Sequence, residues 1–387
     1  LMHYPFPGDI TVETFLRDYW QKKPLLIRNA FPDIKSPLSA DELAGLACEP
    51  DANARLIFEE HQHGNWYVQH GPLYEEDFSN LPEKDWTLLV TDVEKHSAEA
   101  RELINHFRFI PDWRIDDLMI SYAAEGGSVG PHTDAYDVFL IQVEGQRHWM
   151  VNTEYDETCV EDTELRILKN FNSAEDWILE PGDMLYLPPH VAHHGIAVNG
   201  PCMTCSAGFR SPSISNLVSE YAETLAADID PELRYEDPDL DCQLHPAEIP
   251  PAAINNIKAL LLEQLQVHDD LLQRWFGRYS TEPRAGVHPH YPDRLFDDFD
   301  DLVSVLNSST AIAQSRASKF LFMQCDDSTL LFVDGECYKT SLNFAIAITD
   351  QRTFSPVTLL NAAQTADDQQ VLLHLYNNGN IIIVDEV

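Results

Sequence analysis

The sequence predicts a mixed β/α protein in three parts: a double-sheet jelly roll over residues 1–212, a helical segment over 213–285, and a winged-helix-like domain of helices and strands over 286–387. Three observations support that division. Short β-rich runs separated by regular Gly/Pro turn signals dominate the first part, which is the pattern of a sandwich or barrel. From Ser213 apolar residues recur at helical spacing instead, at Leu217, Tyr221 and Leu225, then at Ile257, Leu260, Leu261 and Leu265. Beyond Asp293 the two periodicities alternate, and 387 residues are enough for two or three domains.

The first part opens on a helix expected over Val12 to Gln21. Lys22-Lys23-Pro24 stops it, because proline cannot continue a helix, and a strand follows over Leu25 to Arg28. Leu118 to Ala123 reads as a strand running into the turn Gly126-Gly127-Ser128-Val129-Gly130. Strands over Asp137 to Val143 and Gln146 to Val151 flank Glu144-Gly145, which has the chemistry of a two-residue hairpin turn. Pro181-Gly182-Asp183 turns into a strand over Met184 to Leu187, and Pro188-Pro189 ends it. The apolar stripes of the second part need a cover, either the barrel or a second copy of the chain. In the third part Ser318 to Gln324, Thr329 to Val333 and Asn380 to Val384 read as strands, with Asn378-Gly379 a hairpin-type turn before the last. From Thr310 onward four Lys+Arg face nine Asp+Glu, so no direct DNA binding is expected, since phosphate must be neutralised by cations.

Composition narrows the setting. An apolar content of 44% is that of a folded globular chain. No apolar run approaches the ~20 residues that span a bilayer. The opening Leu1-Met2-His3-Tyr4-Pro5 lacks the basic and apolar regions of a signal peptide, so a cytoplasmic location is expected, with Leu1 a cloning remnant. Seven scattered cysteines argue against a disulfide framework. Cys202-Met203-Thr204-Cys205 lies in a strand pattern without a second pair, and buried packing is expected of it rather than redox or zinc chemistry. The net charge is −39, with nine carboxylates against one arginine between Glu220 and Asp241. Such a field implies either a solvated, self-repelling surface or a Lys/Arg-rich protein partner, and it disfavours free nucleic acid.

The chemistry sits in His132-Thr133-Asp134. Two imidazoles and a carboxylate on one side of a metal form the facial triad of non-haem Fe(II) oxygenases, which leaves coordination positions open. In a strand, residues two apart share a face, so His132 and Asp134 can meet one ion. The second imidazole comes from His190-Val191-Ala192-His193-His194, where three histidines compete; His193 follows Asp134 by fifty-nine residues. With no cysteine among the donors, a structural zinc site is disfavoured. Arg147 falls in the same barrel, and a buried arginine needs a counter-charge. That is either an acid such as Glu144 or, beside a metal triad, the carboxylate of a small diacid. His148, next in the strand, should face the other way. His61-Gln62-His63 and His288-Pro289-His290 lack an accompanying carboxylate and read as surface histidines. Neither a nucleophile elbow nor a Gly-x-Gly-x-x-Gly fingerprint is present.

Several strings carry a family resemblance. They are Tyr19-Trp20-Gln21-Lys22-Lys23-Pro24-Leu25, Ser121-Tyr122, and Gly130-Pro131-His132-Thr133-Asp134. Tyr136-Asp137-Val138-Phe139 with Gln142, Gly145, Arg147 and Trp149 is another, and Glu180 through Pro189 with His193 and Gly195 the last. Together they resemble the JmjC-type ribosomal oxygenases, in particular the bacterial members that hydroxylate an arginine of a large-subunit ribosomal protein. The resemblance implies a double-stranded β-helix of the JmjC/cupin type, a helical dimerisation segment and a C-terminal winged helix. It implies Fe(II) on His132, Asp134 and His193, and 2-oxoglutarate held by Arg147 with help from the Ser121 hydroxyl. The reaction implied is arginine hydroxylation with O2, coupled to decarboxylation of 2-oxoglutarate to succinate and CO2, by a homodimer acting on a basic ribosomal protein. Thr204 stands near a position where relatives present an amide to the cosubstrate, and Tyr136 and Asp137 are candidates for reading the target. Two other readings are carried forward: an oxygenase acting on a histidine or methyl-lysine of another protein, and a cupin that binds without turning over.

Overall fold

The computed structural model describes residues 5–60, 65–242, 244–283, 286–326 and 328–384. Two compact units emerge, one of Leu1–Ser211 with Pro283–Tyr291 and Gln314–Ser318, the other of Pro212–Glu282, Pro292–Ala313 and Lys319–Val387.

The first unit is built on nine strands: β1 (Leu25–Ile27), β2 (Asn53–Glu60), β3 (Asn65–His70), β4 (Trp86–Thr91), β5 (Ile115–Ala123), β6 (Val138–Asn152), β7 (Glu175–Leu179), β8 (Met184–Leu187) and β9 (Ala192–Phe209). They are ordered β1-β8-β6-β9-β5-β4-β2-β3, with β7 also paired to β6, and form the rolled sheet of a jelly roll. Five helices accompany them among the described residues: α1 (Val12–Asp18), α2 (Ala40–Ala47), α3 (Glu75–Ser79), α4 (Val93–His96) and α5 (Ala98–Asn105). Helix α1 stops three residues before the expected Gln21, which takes a left-handed φ of 56° and donates its backbone N–H to the Tyr186 hydroxyl. A buried aromatic cluster fills one side of the sheet, with Phe107 and Phe139 at 4.7 Å and Phe15 and Tyr186 at 4.9 Å between ring centroids.

The expected hairpin at Glu144-Gly145 does not form. Both flanks belong to one fifteen-residue strand, β6, which pairs with β9 from Val138↔Gly208 to Asn152↔Ala192. Glu144-Gly145 is a bulge, marked by register shifts on either side and by φ +63° at Gly145. Its turn chemistry was legible; the pairing of both flanks with the same partner strand was not. The bulge inserts a residue and so inverts the alternation of side chains. Phe139, Ile141 and Val143 face the aromatic core, whereas Val138, Leu140, Trp149 and Val151 share the other cluster. Odd-numbered residues thus change sides at the bulge, and Arg147 is turned to the side of Val138 and Leu140.

Helix α4 braces β5, and the Leu118 N–H donates to Glu94 Oε2 at 2.9 Å. Burial first, then the charges of Asp117 and Asp92, pushes the Glu94 carboxyl up to about 8. The folded chain therefore holds a proton that the unfolded chain has released, and stability falls as pH rises from about 4.5 to about 8. Glu94→Gln keeps the acceptor and removes that slope. Denaturant unfolding is expected to show the variant more stable than the parent at pH 9, by up to about 5 kcal/mol, and nearly equal at pH 4. Parallel pH–stability curves would exclude a raised carboxyl.

The second unit starts with the helices α6 (Ile214–Asp228), α7 (Pro251–Val267) and α8 (Asp269–Thr281). Tyr221 of α6 packs on Trp275 of α8 at 5.1 Å and donates to the His268 carbonyl. Apolar side chains on α6 and α7 remain exposed within the chain, Ile214 at 76%, Val218 at 63% and Leu261 at 64%. There follow α9 (Phe299–Leu306), β10 (Ala311–Gln314), β11 (Phe320–Cys325), β12 (Ser328–Val333), β13 (Glu336–Thr340), α10 (Leu342–Thr349), β14 (Thr353–Phe354), α11 (Pro356–Ala362), α12 (Ala366–Asn377) and β15 (Ile381–Val384). The strands form two small sheets, β14-β10-β15 and β11-β12-β13, around one core. Asn378-Gly379 is not a hairpin turn. It caps α12, with Asn378 N donating to the His374 carbonyl and Gly379 at φ +73°. Asn-Gly favours positive φ in either setting, and the helix before it decides which one is built. Among the described residues no helix is long and apolar enough to cross a membrane.

Candidate metal centre and cosubstrate pocket

His132 and Asp134 lie in a loop rather than in the strand expected of them. A two-residue backbone bridge holds the loop: His132 N donates to the His193 carbonyl at 3.0 Å and His193 N to the His132 carbonyl at 2.9 Å. This bridge carries two stretches of chain, far apart in sequence, into register. It sets the two imidazoles 4.2 Å apart between ring centroids. Asp134 closes the group, its Oδ2 lying 3.5 Å from His193 Nε2 and 3.9 Å from His132 Nε2. Ligand atoms of the three residues all lie within 4.8 Å of one another.

Both imidazoles are oriented from behind. His132 Nδ1 donates to the Gly130 carbonyl and His193 Nδ1 to the Val191 carbonyl, each at 2.9 Å. That tautomer leaves both Nε2 lone pairs pointing at the shared space, which is how ligating histidines are held. His193 is buried, and burial together with the adjacent His132 lowers its pKa to about 4, so it is neutral near pH 7.

Neither rival histidine joins the group. His194 turns away to the Ser128 hydroxyl at 2.9 Å, and His190 is exposed with φ +62°. His288 and His290 are exposed, as expected of surface histidines, while His61-Gln62-His63 lies outside the described residues.

The triad opens onto a cavity of about 310 Å³ in the jelly roll. Arg147 and Ser121 line it, and both are buried. Arg147 Nη1 donates to Ser121 Oγ at 3.4 Å and Nη2 to the Gly195 carbonyl at 3.2 Å, while Nε has no partner. The expected alternative, a pair with Glu144, is not made: Glu144 sits exposed on the bulge. Burial lowers the guanidinium pKa, an effect partly offset by the neighbouring Cys202 thiol. Trp149 lies under the guanidinium at 5.0 Å, and a Cβ on Gly195 would come within 2.7 Å of Arg147 Nε, so glycine there lets the arginine lie flat on the backbone. His148 faces the other way, toward Asp176 at 3.2 Å.

Of the remaining candidates, Thr204 lines the cavity and donates to Gln142 Oε1 at 3.0 Å, which ties the threonine to an amide. Tyr136 stands half-exposed in the lining. Asp137 has a structural task instead: it is fully buried and accepts from the Tyr186 hydroxyl at 2.6 Å and the Gln21 amide at 2.9 Å, beside Arg114. Cys202 and Cys205 are buried in β9 with free thiols, as expected of packing residues.

Three charged lining residues escaped the sequence reading: Arg55 on β2, Asp117 on β5, and Arg166 on a segment folded back through Val160 N to the Ile167 carbonyl at 2.8 Å. No local motif marks them. Their membership follows from how β2, β5 and that segment wrap round the cavity.

The donor set suits non-haem Fe(II): neutral imidazoles and a carboxylate in a cavity with room for small ligands. A buried guanidinium without a carboxylate suits a diacid.

Comparison with known proteins agrees with this arrangement. A JmjC domain model matches residues 102–217, and a ROXA-like winged-helix model matches 262–381. The chain is 38% identical over 294 residues to "Ribosomal protein uL16 3-hydroxylase" of Escherichia coli, covering 73% of this chain and 76% of that protein. It is 40% identical over 346 residues to "Probable ribosomal oxygenase" of Haemophilus influenzae, covering 85% and 82%. The crystal structure of E. coli YcfD matches with a TM-score of 0.87 at 30% identity, over 98% of this chain and 100% of that one. A structure of YcfD in complex with cobalt and 2-oxoglutarate matches with a TM-score of 0.84, over 97% and 98%.

Proposed function

Because the chain belongs to the JmjC-domain ribosomal oxygenase family, we propose that it is an Fe(II)- and 2-oxoglutarate-dependent hydroxylase of an arginine side chain in a large-subunit ribosomal protein. The observation carrying this reading is a metal-type His-Asp-His group sharing one cavity with a buried arginine that has no acid partner among the described residues. Bound iron supplies the chemistry that couples decarboxylation of 2-oxoglutarate to insertion of one oxygen atom of O2 into a C–H bond.

The chain's own residues do the positioning. His132 and His193 would present Nε2 and Asp134 a carboxylate oxygen, with the Gly130 and Val191 carbonyls fixing the two rings. Arg147 would bind the distal carboxylate of the diacid, steadied by Ser121 and stacked on Trp149. Val138, Leu140 and Ile167 line the same space, and apolar walls exclude water and strengthen each charged contact inside. The choice of arginine as target rests on the family resemblance, whose E. coli relative is a ribosomal protein uL16 3-hydroxylase. A binding scaffold would have no need of an oriented donor set.

In the same reading the enzyme is a homodimer, with the exposed apolar stripe of α6 and α7 covered by a second copy. It works in the cytoplasm, where its −39 charge draws in a basic ribosomal protein. One preparation tests all of this. Full-length protein with Fe(II), 2-oxoglutarate and recombinant ribosomal protein uL16 is expected to add the mass of one oxygen to an arginine, and to sediment as a dimer at micromolar concentration. Oxygen on a histidine, or demethylation of a lysine, would replace the target assignment. A monomer would remove the dimer.

A further inference from the structure

The charge of the cavity wall is opposite to that of the molecule. Across the chain 25 Lys+Arg face 64 Asp+Glu. In the lining, Arg55, Arg147 and Arg166 outnumber Asp117 and Asp134. Several arginines elsewhere in this acid-rich protein take carboxylates, Arg28 with Asp183 at 2.6 Å, Arg114 with Asp137 at 3.3 Å and Arg210 with Asp116 at 3.2 Å, while others such as Arg234 donate to backbone carbonyls. Among the described residues, Arg55 and Arg166 have no carboxylate partner. Arg166 is exposed and Arg55 half-buried, so both stand where the cavity meets solvent, while Arg147 lies at its buried end.

Their placement is specific. Arg55 pairs across the sheet with Leu89, Leu89 with Ser121, and Ser121 with Thr204, and all four line the cavity. Arg55 therefore stands two strands from Ser121, about 10 Å at the usual strand spacing. Arg166 comes from a different part of the wall, on the segment joined to the triad loop through Leu168 N and the Pro131 carbonyl at 2.7 Å.

We propose that Arg55 and Arg166 are steering residues that draw the dianionic cosubstrate through the acidic field of the protein toward Arg147. This rests on the reading of the cavity as a 2-oxoglutarate site. A dianion approaching a body of charge −39 is repelled at long range. At physiological salt that repulsion is screened beyond about 8 Å, so the charges at the mouth decide whether the ligand enters. Two guanidinium groups without a carboxylate partner among the described residues give the lining an excess of cations without altering the net acidity that suits a basic protein substrate.

The test follows association of 2-oxoglutarate with the full-length Mn(II)-loaded protein by stopped-flow tryptophan fluorescence, which Trp149 beside Arg147 reports. The Arg55→Gln/Arg166→Gln protein is expected to associate about 10-fold more slowly at low ionic strength. The gap should close to about 2-fold or less at about 0.5 M salt, where the screening length falls to a few ångström. Arg55→Lys/Arg166→Lys should restore the rate. Arg17→Gln/Arg274→Gln, equal in charge change but outside the cavity lining, should leave it unchanged. The exposed Arg166→Gln alone should show part of the loss and guards against misfolding of the double variant. Unchanged association at every salt concentration would overturn the inference. So would a loss confined to the KM for the protein substrate, which would assign the two arginines to peptide carbonyls. If the unaltered Mn(II)-loaded protein fails to bind 2-oxoglutarate, the cavity reading falls and the inference with it.

Discussion

Alanine at both His132 and Asp134 is expected to lower hydroxylation by at least about three orders of magnitude, roughly 4 kcal/mol of activation free energy. The reason is geometric. Asp134 is the carboxylate closing the group, 3.5 Å from His193 Nε2, and His132 is tied to His193 by paired backbone hydrogen bonds. Removing both side chains leaves one imidazole, which cannot hold a labile divalent ion against water. Stability separates this from misfolding. The His132 and Asp134 side chains are only 23% and 20% exposed, but the backbone bridge that positions them survives alanine. The metal-free variant should therefore unfold at nearly the same denaturant concentration as the parent. Saturating Mn(II) should stabilise the parent by roughly 3 kcal/mol at 100 times its Kd and the variant not at all. Equal turnover, or an equal metal-induced shift in Tm, would refute the assignment of these ligands.

Arg147→Met is expected to weaken 2-oxoglutarate binding about 100-fold, the roughly 3 kcal/mol of charge-assisted hydrogen bonds to a buried carboxylate. The same substitution should leave the ligand-free protein as stable as before, or more so. A buried cation without a carboxylate is an electrostatic liability in the apo fold, and methionine fills much of its volume. Had Arg147 been a structural ion-pair partner, its loss would instead cost several kcal/mol of stability. Calorimetric titration with 2-oxoglutarate and denaturant unfolding of one variant thus distinguish the two roles. The bulge supplies a second handle. A Cβ at position 145 would lie 2.2 Å from the Pro201 carbonyl, on a residue at φ +63°. Gly145→Ala is expected to destabilise by about 2 kcal/mol or more and to weaken 2-oxoglutarate binding with it. Binding unaffected by that change would show that the bulge does not aim Arg147.

Several features were legible because the chemistry that produces them is local. Pro181-Gly182-Asp183 and Pro188-Pro189 bracket β8 as expected, since proline and glycine restrict the backbone whatever surrounds them. The helical spacing around Tyr221 and Leu261 anticipated α6 and α7, because burial on one face imposes its period on the sequence. The same local chemistry misled at Glu144-Gly145 and Asn378-Gly379. In both dipeptides the glycine takes positive φ, and a hairpin, a bulge and a helix cap all accommodate it. Which one forms depends on whether the flanking strands find each other or a third strand.

The sequence by itself determined the kinds of group available: two imidazoles, a carboxylate, an arginine, glycines where the backbone must bend, and an acid-rich surface. Tertiary structure alone decided which histidine of His190, His193 and His194 meets Asp134, through a bridge between residues 61 apart in number, His132 and His193. It decided the side on which Arg147 falls, through one inserted residue in β6. It also decided that Arg55 and Arg166, unmarked by any motif, share a wall with the triad. Side-chain identity sets what an atom can bond, but convergence on one point depends on register between distant strands, and register is fixed by the free energy of the whole sheet rather than by any neighbouring residue.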